Sequence, residues 1–207
     1  IISKTEINLN SIIQSTLIEK HNFINSRPFL IEYAAFFGSI QIFKFLWLKK
    51  VQIPPNLAKF AVAGGNYEII HIIEDQNISF EGCLEVAISF FRTDIIEYLN
   101  ETVNLELSMS CLISSIFNYN IEYFLKIIKS TKNINELAKY GFGNMISPLH
   151  AASENGFLDI VQFLCSMKEI DVNIATPNLL VTPLHMAAES GQIDVVKFLC
   201  GLKNINI

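Results

Sequence analysis

Arginine is nearly missing from this sequence: Arg27 and Arg92 are its only two, beside 13 Lys and 20 acidic residues. The formal net charge of −5 argues against a nucleic-acid binder, which shows a basic face. Glycine (9) and proline (6) are also scarce, so collagen-like and low-complexity organisations fail. There are four cysteines, Cys83, Cys111, Cys165 and Cys200, with no Cys-x-x-Cys pair and no His at zinc-ligand spacing. They are expected to be reduced thiols acting as small hydrophobes. No uncharged run is long enough for a spanning helix. Tyr33 to Phe43 holds 11 residues, Leu107 to Ile121 carries four Ser and two Asn, and a span needs about 18. Paired catalytic carboxylates, an activated nucleophile and a metal cluster are all lacking. Gly141-Phe142-Gly143 misses the third Gly of a dinucleotide loop and fits a turn. No enzyme, cofactor or metal is expected.

What is present is apolar. Hydrophobic residues make up 51 % of the 207, too many for disorder. Ile occurs 32 times and Asn 19 times, a bias that AT-rich coding DNA explains as well as function does. The sequence starts at Ile1 without Met and stops at Asn204-Ile205-Asn206-Ile207. Both ends read as cut, as in a fragment of a longer protein.

An internal repeat decides the architecture. Ser147-Pro148-Leu149-His150-Ala151-Ala152-Ser153-Glu154-Asn155-Gly156 recurs 35 residues later as Thr182-Pro183-Leu184-His185-Met186-Ala187-Ala188-Glu189-Ser190-Gly191. The register continues without a gap, Asp159 to Cys165 matching Asp194 to Cys200. Ser147 and Thr182 can cap a helix start. Pro148 and Pro183 suit the first helical position. Leu149 and Ala152, like Leu184 and Ala187, share a helix face. Gly156 and Gly191 end the helix, and a second helix follows from Asp159 or Asp194. Such a pair cannot bury its own apolar face and must stack on copies of itself.

The motif resembles the ankyrin repeat. The resemblance is close from Thr182 to Cys200, while at Ser147 to Cys165 a Ser153 stands in for the second Ala. It implies that His150 and His185 tie neighbouring units by hydrogen bonds near the Ser/Thr cap. It also implies a groove built from loop tips and exposed first-helix positions. Those positions here are Ala151, Glu154 and Asn155 in one unit and Met186, Glu189 and Ser190 in the next. Loop residues Tyr140, Phe142, Asp171 and Asn173 could extend the groove. From Ser147 onward six acidic residues face three Lys, a mildly acidic surface.

Degraded units precede these two. Ala34-Ala35…Gly38, Ala61-Val62-Ala63-Gly64-Gly65, Ala87-Ile88 and Ser115-Ile116 each lead to a second apolar stripe. Phe91 and Tyr119 occupy the Gly position in the last two. The Gly-equivalent spacings are 27, 26 and 28 residues, then 37 and 35. The short units hold two helices and little else. The long ones have room for a projecting hairpin. Glu32 and Glu85 stand at the His position. This part resembles the divergent ankyrin-like region found upstream of regular repeats in large protozoan repeat families.

The expected fold is all-α, an ankyrin-type helical-hairpin solenoid of stacked antiparallel helix pairs with hairpin loops only in the C-terminal units. It forms a single repeat domain over 1–207. Residues 1–30 form an N-terminal helical cap or partial repeat, with a helix-like pattern from Leu9 to Ile18. Residues 31–130 form divergent short pairs and 131–207 regular repeats, whose helical parts are 147–167 and 182–202. The expected function is a non-catalytic protein-binding scaffold, monomeric and cytoplasmic, without membrane insertion or nucleic acid. Two alternatives stand beside it, a regulatory or targeting segment of a longer kinase or ubiquitin-ligase type enzyme, and a self-stacking spacer.

Overall fold

A computed structural model describes residues 8–13, 27–140 and 144–206. Its contacts divide the chain into two compact units, Ile1–Ile95 and Ile96–Ile207.

In the first unit, α1 (Leu30–Phe36) and α2 (Ile40–Leu48) form one antiparallel pair, and α3 (Leu57–Gly64) and α4 (Tyr67–Glu74) the next. Helix α5 (Cys83–Ser89) packs on α3, and α6 (Thr93–Glu101) runs through the boundary between units. First helices stack on first helices, α1 on α3 and α3 on α5. They are short and rich in small residues, and they bury nearly everything they have. Helix α3 puts Leu57, Ala58, Phe60, Ala61, Val62 and Ala63 out of water. Second helices bury one stripe, as α4 does with Ile69, Ile70 and Ile73.

The second unit repeats this plan with α7 (Met109–Phe117) and α8 (Ile121–Ile128), α9 (Pro148–Asn155) and α10 (Leu158–Cys165), and α11 (Pro183–Glu189) and α12 (Ile193–Cys200). Helices α7, α9 and α11 stack in order. The extra residues of the longer period form an antiparallel hairpin, β1 (Ala138–Tyr140) and β2 (Asn144–Ile146), with Ala138 opposite Ile146. Between α10 and α12's pair the loop closes without strands. There the Thr176 N–H donates to the Val181 carbonyl (2.9 Å) and the Val181 N–H to Thr176 Oγ1 (3.1 Å). The fold is therefore an all-α helical-hairpin solenoid type, with one small strand pair among the described residues.

The apolar pattern from Leu9 does not begin as a helix. Asn8 Oδ1 accepts from the Asn10 N–H (3.0 Å), which turns the chain, and Ile12 then makes an isolated β-bridge with Phe29. The rest of that stretch, 14–18, lies outside the described residues.

All six positions assigned to Gly by spacing have positive φ: Gly38 +62°, Gly65 +81°, Phe91 +54°, Tyr119 +51°, Gly156 +72° and Gly191 +71°. The turn between paired helices demands this conformation whatever the side chain. In Phe91 and Tyr119 it costs roughly 1–2 kcal/mol each through the clash of Cβ with the next carbonyl. Tyr119 recovers some of this by donating its hydroxyl to Asp159 (2.6 Å).

At four corners the residue that follows reaches back to the corner before it. Asn66 Nδ2 donates to the Gly38 carbonyl (3.3 Å). Arg92 donates through Nε (3.1 Å) and Nη2 (2.9 Å) to Ala63 O and through Nη2 (3.2 Å) to Gly64 O. Gln192 Nε2 donates to Glu154 O (3.0 Å). Phe157 instead packs its ring on Tyr119, centroids 4.8 Å apart. For Arg92 and Gln192 the acceptors are carbonyls at the end of the preceding first helix, so one side chain closes a helix terminus and joins two repeats.

Candidate functional site

The Pro-Leu-His turns are assembled as the motif requires. The Ser147 Oγ accepts from the His150 N–H (3.4 Å), and His150 Nδ1 accepts from the Ser147 N–H (3.2 Å). Thr182 and His185 repeat both bonds at the same distances. His150 is fully buried, and its Nε2 lies 2.9 Å from the Val181 carbonyl, on the strand-like segment entering the next repeat. A carbonyl only accepts, so Nε2 carries the proton and Nδ1 is bare. Burial pushes the His150 pKa down, against the opposing pull of the Val181 carbonyl. His185 is exposed. In the first unit Glu32 does the work of the His, its Oε2 accepting from the Phe29 N–H (2.9 Å).

Ser153, which stands where the next repeat has Ala188, is wholly buried, and its hydroxyl finds no partner. Ser153→Ala is expected to stabilise the chain by about 1 kcal/mol, because an unsatisfied buried hydroxyl costs about 1–3 kcal/mol. A urea midpoint at or below the parent's would refute this.

In the second unit the hairpin and the first helices form a recessed surface. A hollow of about 480 Å³ is lined by Tyr140, Asn144, Ile146, Glu154, Met186, Glu189 and Ser190. A second of about 240 Å³ shares Asn144, Ile146, Met186 and Glu189 and runs on to Leu179 and Val181. Strand alternation puts Asn144 and Ile146 on one face of β2. Glu154 and Glu189 are repeat-equivalents at the ends of α9 and α11, which brings their carboxylates together. Tyr140 is fixed by stacking flat on Phe117, centroids 3.8 Å and planes 1° apart. Burial raises the Glu154 carboxyl pKa, and the charge of Glu189 raises it further. Burial and then Glu154 raise the Tyr140 phenol.

Five of the ten expected partner-binding residues therefore meet: Tyr140, Glu154, Met186, Glu189 and Ser190. Ala151 does not. It is fully buried under the stacked first helices and cannot touch a partner. The Asn155 amide is turned back onto the Ala151 carbonyl (2.9 Å). Asp171 and Asn173 line neither hollow. Asp171 Oδ1 holds the Asn173 N–H (2.9 Å), and Asn173 bridges to the end of the chain, donating to Asn204 O (2.7 Å) and accepting from the Asn206 N–H (2.8 Å). Asn135 does the same one repeat earlier, with Glu169 O (2.7 Å) and the Asp171 N–H (2.9 Å). Some of the asparagine bias is thus structural. Phe142 lies outside the described residues. Sequence reading missed Asn144, Ile146 and Leu179. The alternation of β2 was a usable signal for the first two, and Leu179, 81 % exposed in a tight loop, had none.

The thiols do not gather. Cys83 and Cys111 are buried, Cys165 half-buried and Cys200 exposed. Burial pushes Cys83 up to about 12 and Cys165 up to about 11, which keeps both protonated and unreactive. Among the described residues no group of three metal-ligating side chains forms, and no helix is long and apolar enough to cross a membrane.

The model of a family described as ankyrin repeats (3 copies) matches residues 112–207. Those residues are ankyrin repeats. Upstream, residues 48–128 match a family described as a domain of unknown function, DUF3447, in keeping with divergent ankyrin-like pairs. No curated protein matches the chain. Among solved structures, a chain from the complex of the Bdellovibrio bacteriovorus predatory endopeptidase Bd0816 with immunity protein Bd3460 is similar, at 20 % identity and a TM-score of 0.55. The match covers 84 % of this chain and 97 % of that one, and at such identity it speaks for the fold alone.

Proposed function

We propose that the ankyrin repeats of the second unit bind another protein in the recess between the β1–β2 hairpin and the first helices, and that this part of the chain is a scaffold without chemistry of its own. The observation that carries the reading is the convergence of Tyr140, Glu154, Met186, Glu189 and Ser190 on one continuous hollow. An exposed tyrosine and a half-buried methionine beside charged residues are the make-up of a partner-binding surface rather than of a solvated face. The rigid stack presents it already formed, so little ordering entropy is lost on binding.

The test is affinity capture from the cells that make the protein, with the chain and its Met186→Glu, Glu189→Lys double variant as parallel baits. A partner retained by the parent and lost by an equally stable variant is the expected result. The same set of proteins on both baits would remove the site from this recess.

A further inference from the structure

The same recess has a charge pattern that selects the chemistry of its occupant, an inference that rests on the docking reading above. Glu154 and Glu189 share it, and neither makes an ion pair: the ion pairs among the described residues are Lys44–Glu68, His71–Glu74 and Lys197–Asp194. The two like charges repel each other, and Glu154 is also partly removed from water, while Glu189 stands at the open side. The chain carries only three Lys from Ser147 on, at 168, 197 and 203, and none of them lines either hollow. Around the carboxylates the walls mix the apolar side chains of Ile146, Met186, Leu179 and Val181 with the polar ones of Asn144, Thr176 and Ser190. The Tyr140 ring closes the other side, held in place by Phe117.

We infer that the recess takes a segment of a partner protein that presents an arginine or lysine side chain flanked by apolar residues. The cation sits between Glu154 and Glu189 beside Tyr140, and the apolar neighbour lies along Met186 and Leu179. An arginine suits the place better than a lysine, because its planar fork can bond both carboxylates and its face can lie on an aromatic ring. A cationic occupant relieves the repulsion between the two glutamates, so binding gains from a strain already present in the free chain. An acidic segment would add a third negative charge.

The experiment measures fluorescence anisotropy of short synthetic peptides on the intact chain. One peptide has a central Arg with Leu two residues to either side in a Gly/Ser background. A second replaces the Arg by Glu, and a third replaces both Leu by Ser. The Arg–Leu peptide is expected to bind about tenfold more tightly than either control, with an affinity that falls as salt rises. The Glu154→Gln, Glu189→Gln variant should lose that preference with a melting temperature at or above the parent's, since the repulsion is gone. Glu189→Lys is a second variant at an exposed position. Its new cation pairs with Glu154, so it should lose the peptide and gain stability. Equal binding of the Arg and Glu peptides, no binding of any, or a preference that survives in both variants would overturn the inference. Loss of a captured partner on Met186→Glu alongside indifference to the peptides would sink the charge rule and leave the docking reading standing. Indifference in both experiments would sink both.

Discussion

Gly64→Ala should destabilise the first unit by about 3 kcal/mol, the upper part of the range for overpacking a tight contact. A Cβ at Gly64 would stand 2.3 Å from the Ala35 carbonyl oxygen and 2.7 Å from that of Phe36. Both are backbone atoms of α1, so no rotamer change makes room; the two helices must move apart. Gly64 has ordinary helical φ, and alanine would gain about 1 kcal/mol of helix propensity there, so the loss measures contact and not conformation. The check is chemical denaturation of parent and variant, with the midpoint falling at unchanged slope. An unchanged midpoint would mean that α1 and α3 do not approach this closely.

His150→Ala is expected to cost about 3 kcal/mol and His185→Ala well under 1, although the two residues occupy the same motif position. His150 is buried and bonds in both directions, to Ser147 and to Val181 of the next repeat; truncation leaves a cavity and takes the acceptor from the buried Ser147 N–H. His185 is exposed and holds only its own cap. The parent should also lose stability on acidification. The folded chain holds His150 neutral, with its pKa lowered by burial, while the unfolded chain protonates near the ordinary value of about 6.5. The stabilisation from the buried neutral ring is therefore complete above that pH and falls away below it, toward the lowered folded value. Urea midpoints from pH 7.5 down to about pH 5 should slope more steeply in the parent than in His150→Ala. Equal costs for the two substitutions would show that the histidine acts within its own repeat and ties nothing together.

The regular repeats were legible because several residues carry conformational demands of their own. A cap, a proline at the first helical position and a corner glycine each fix one piece of backbone, and 35-residue spacing fixes the rest. The same spacing placed Phe91 and Tyr119 at corners, where no side-chain signal pointed, and both adopt positive φ. The reach-back contacts were illegible for the opposite reason. Asn66, Arg92, Phe157 and Gln192 share a position and a task but no chemistry, so comparing repeats as strings shows no pattern. Ala151 failed as a groove residue because Ala fits a buried and an exposed helix face equally well, and only packing distinguishes them. Asn173 looked like a free loop amide, and its two bonds lie to backbone more than 30 residues away.

The reach-back side chains also make the seams of the array unequal under load. Each such bond has its donor on one repeat and its acceptor on the one before, so a repeat leaving from either end must break it. What differs is the seam. Asn66 crosses to Gly38 with one amide bond and Gln192 to Glu154 with one, whereas Arg92 grips the end of α3 with three. Resistance to unravelling therefore varies from seam to seam and not with the direction of pull.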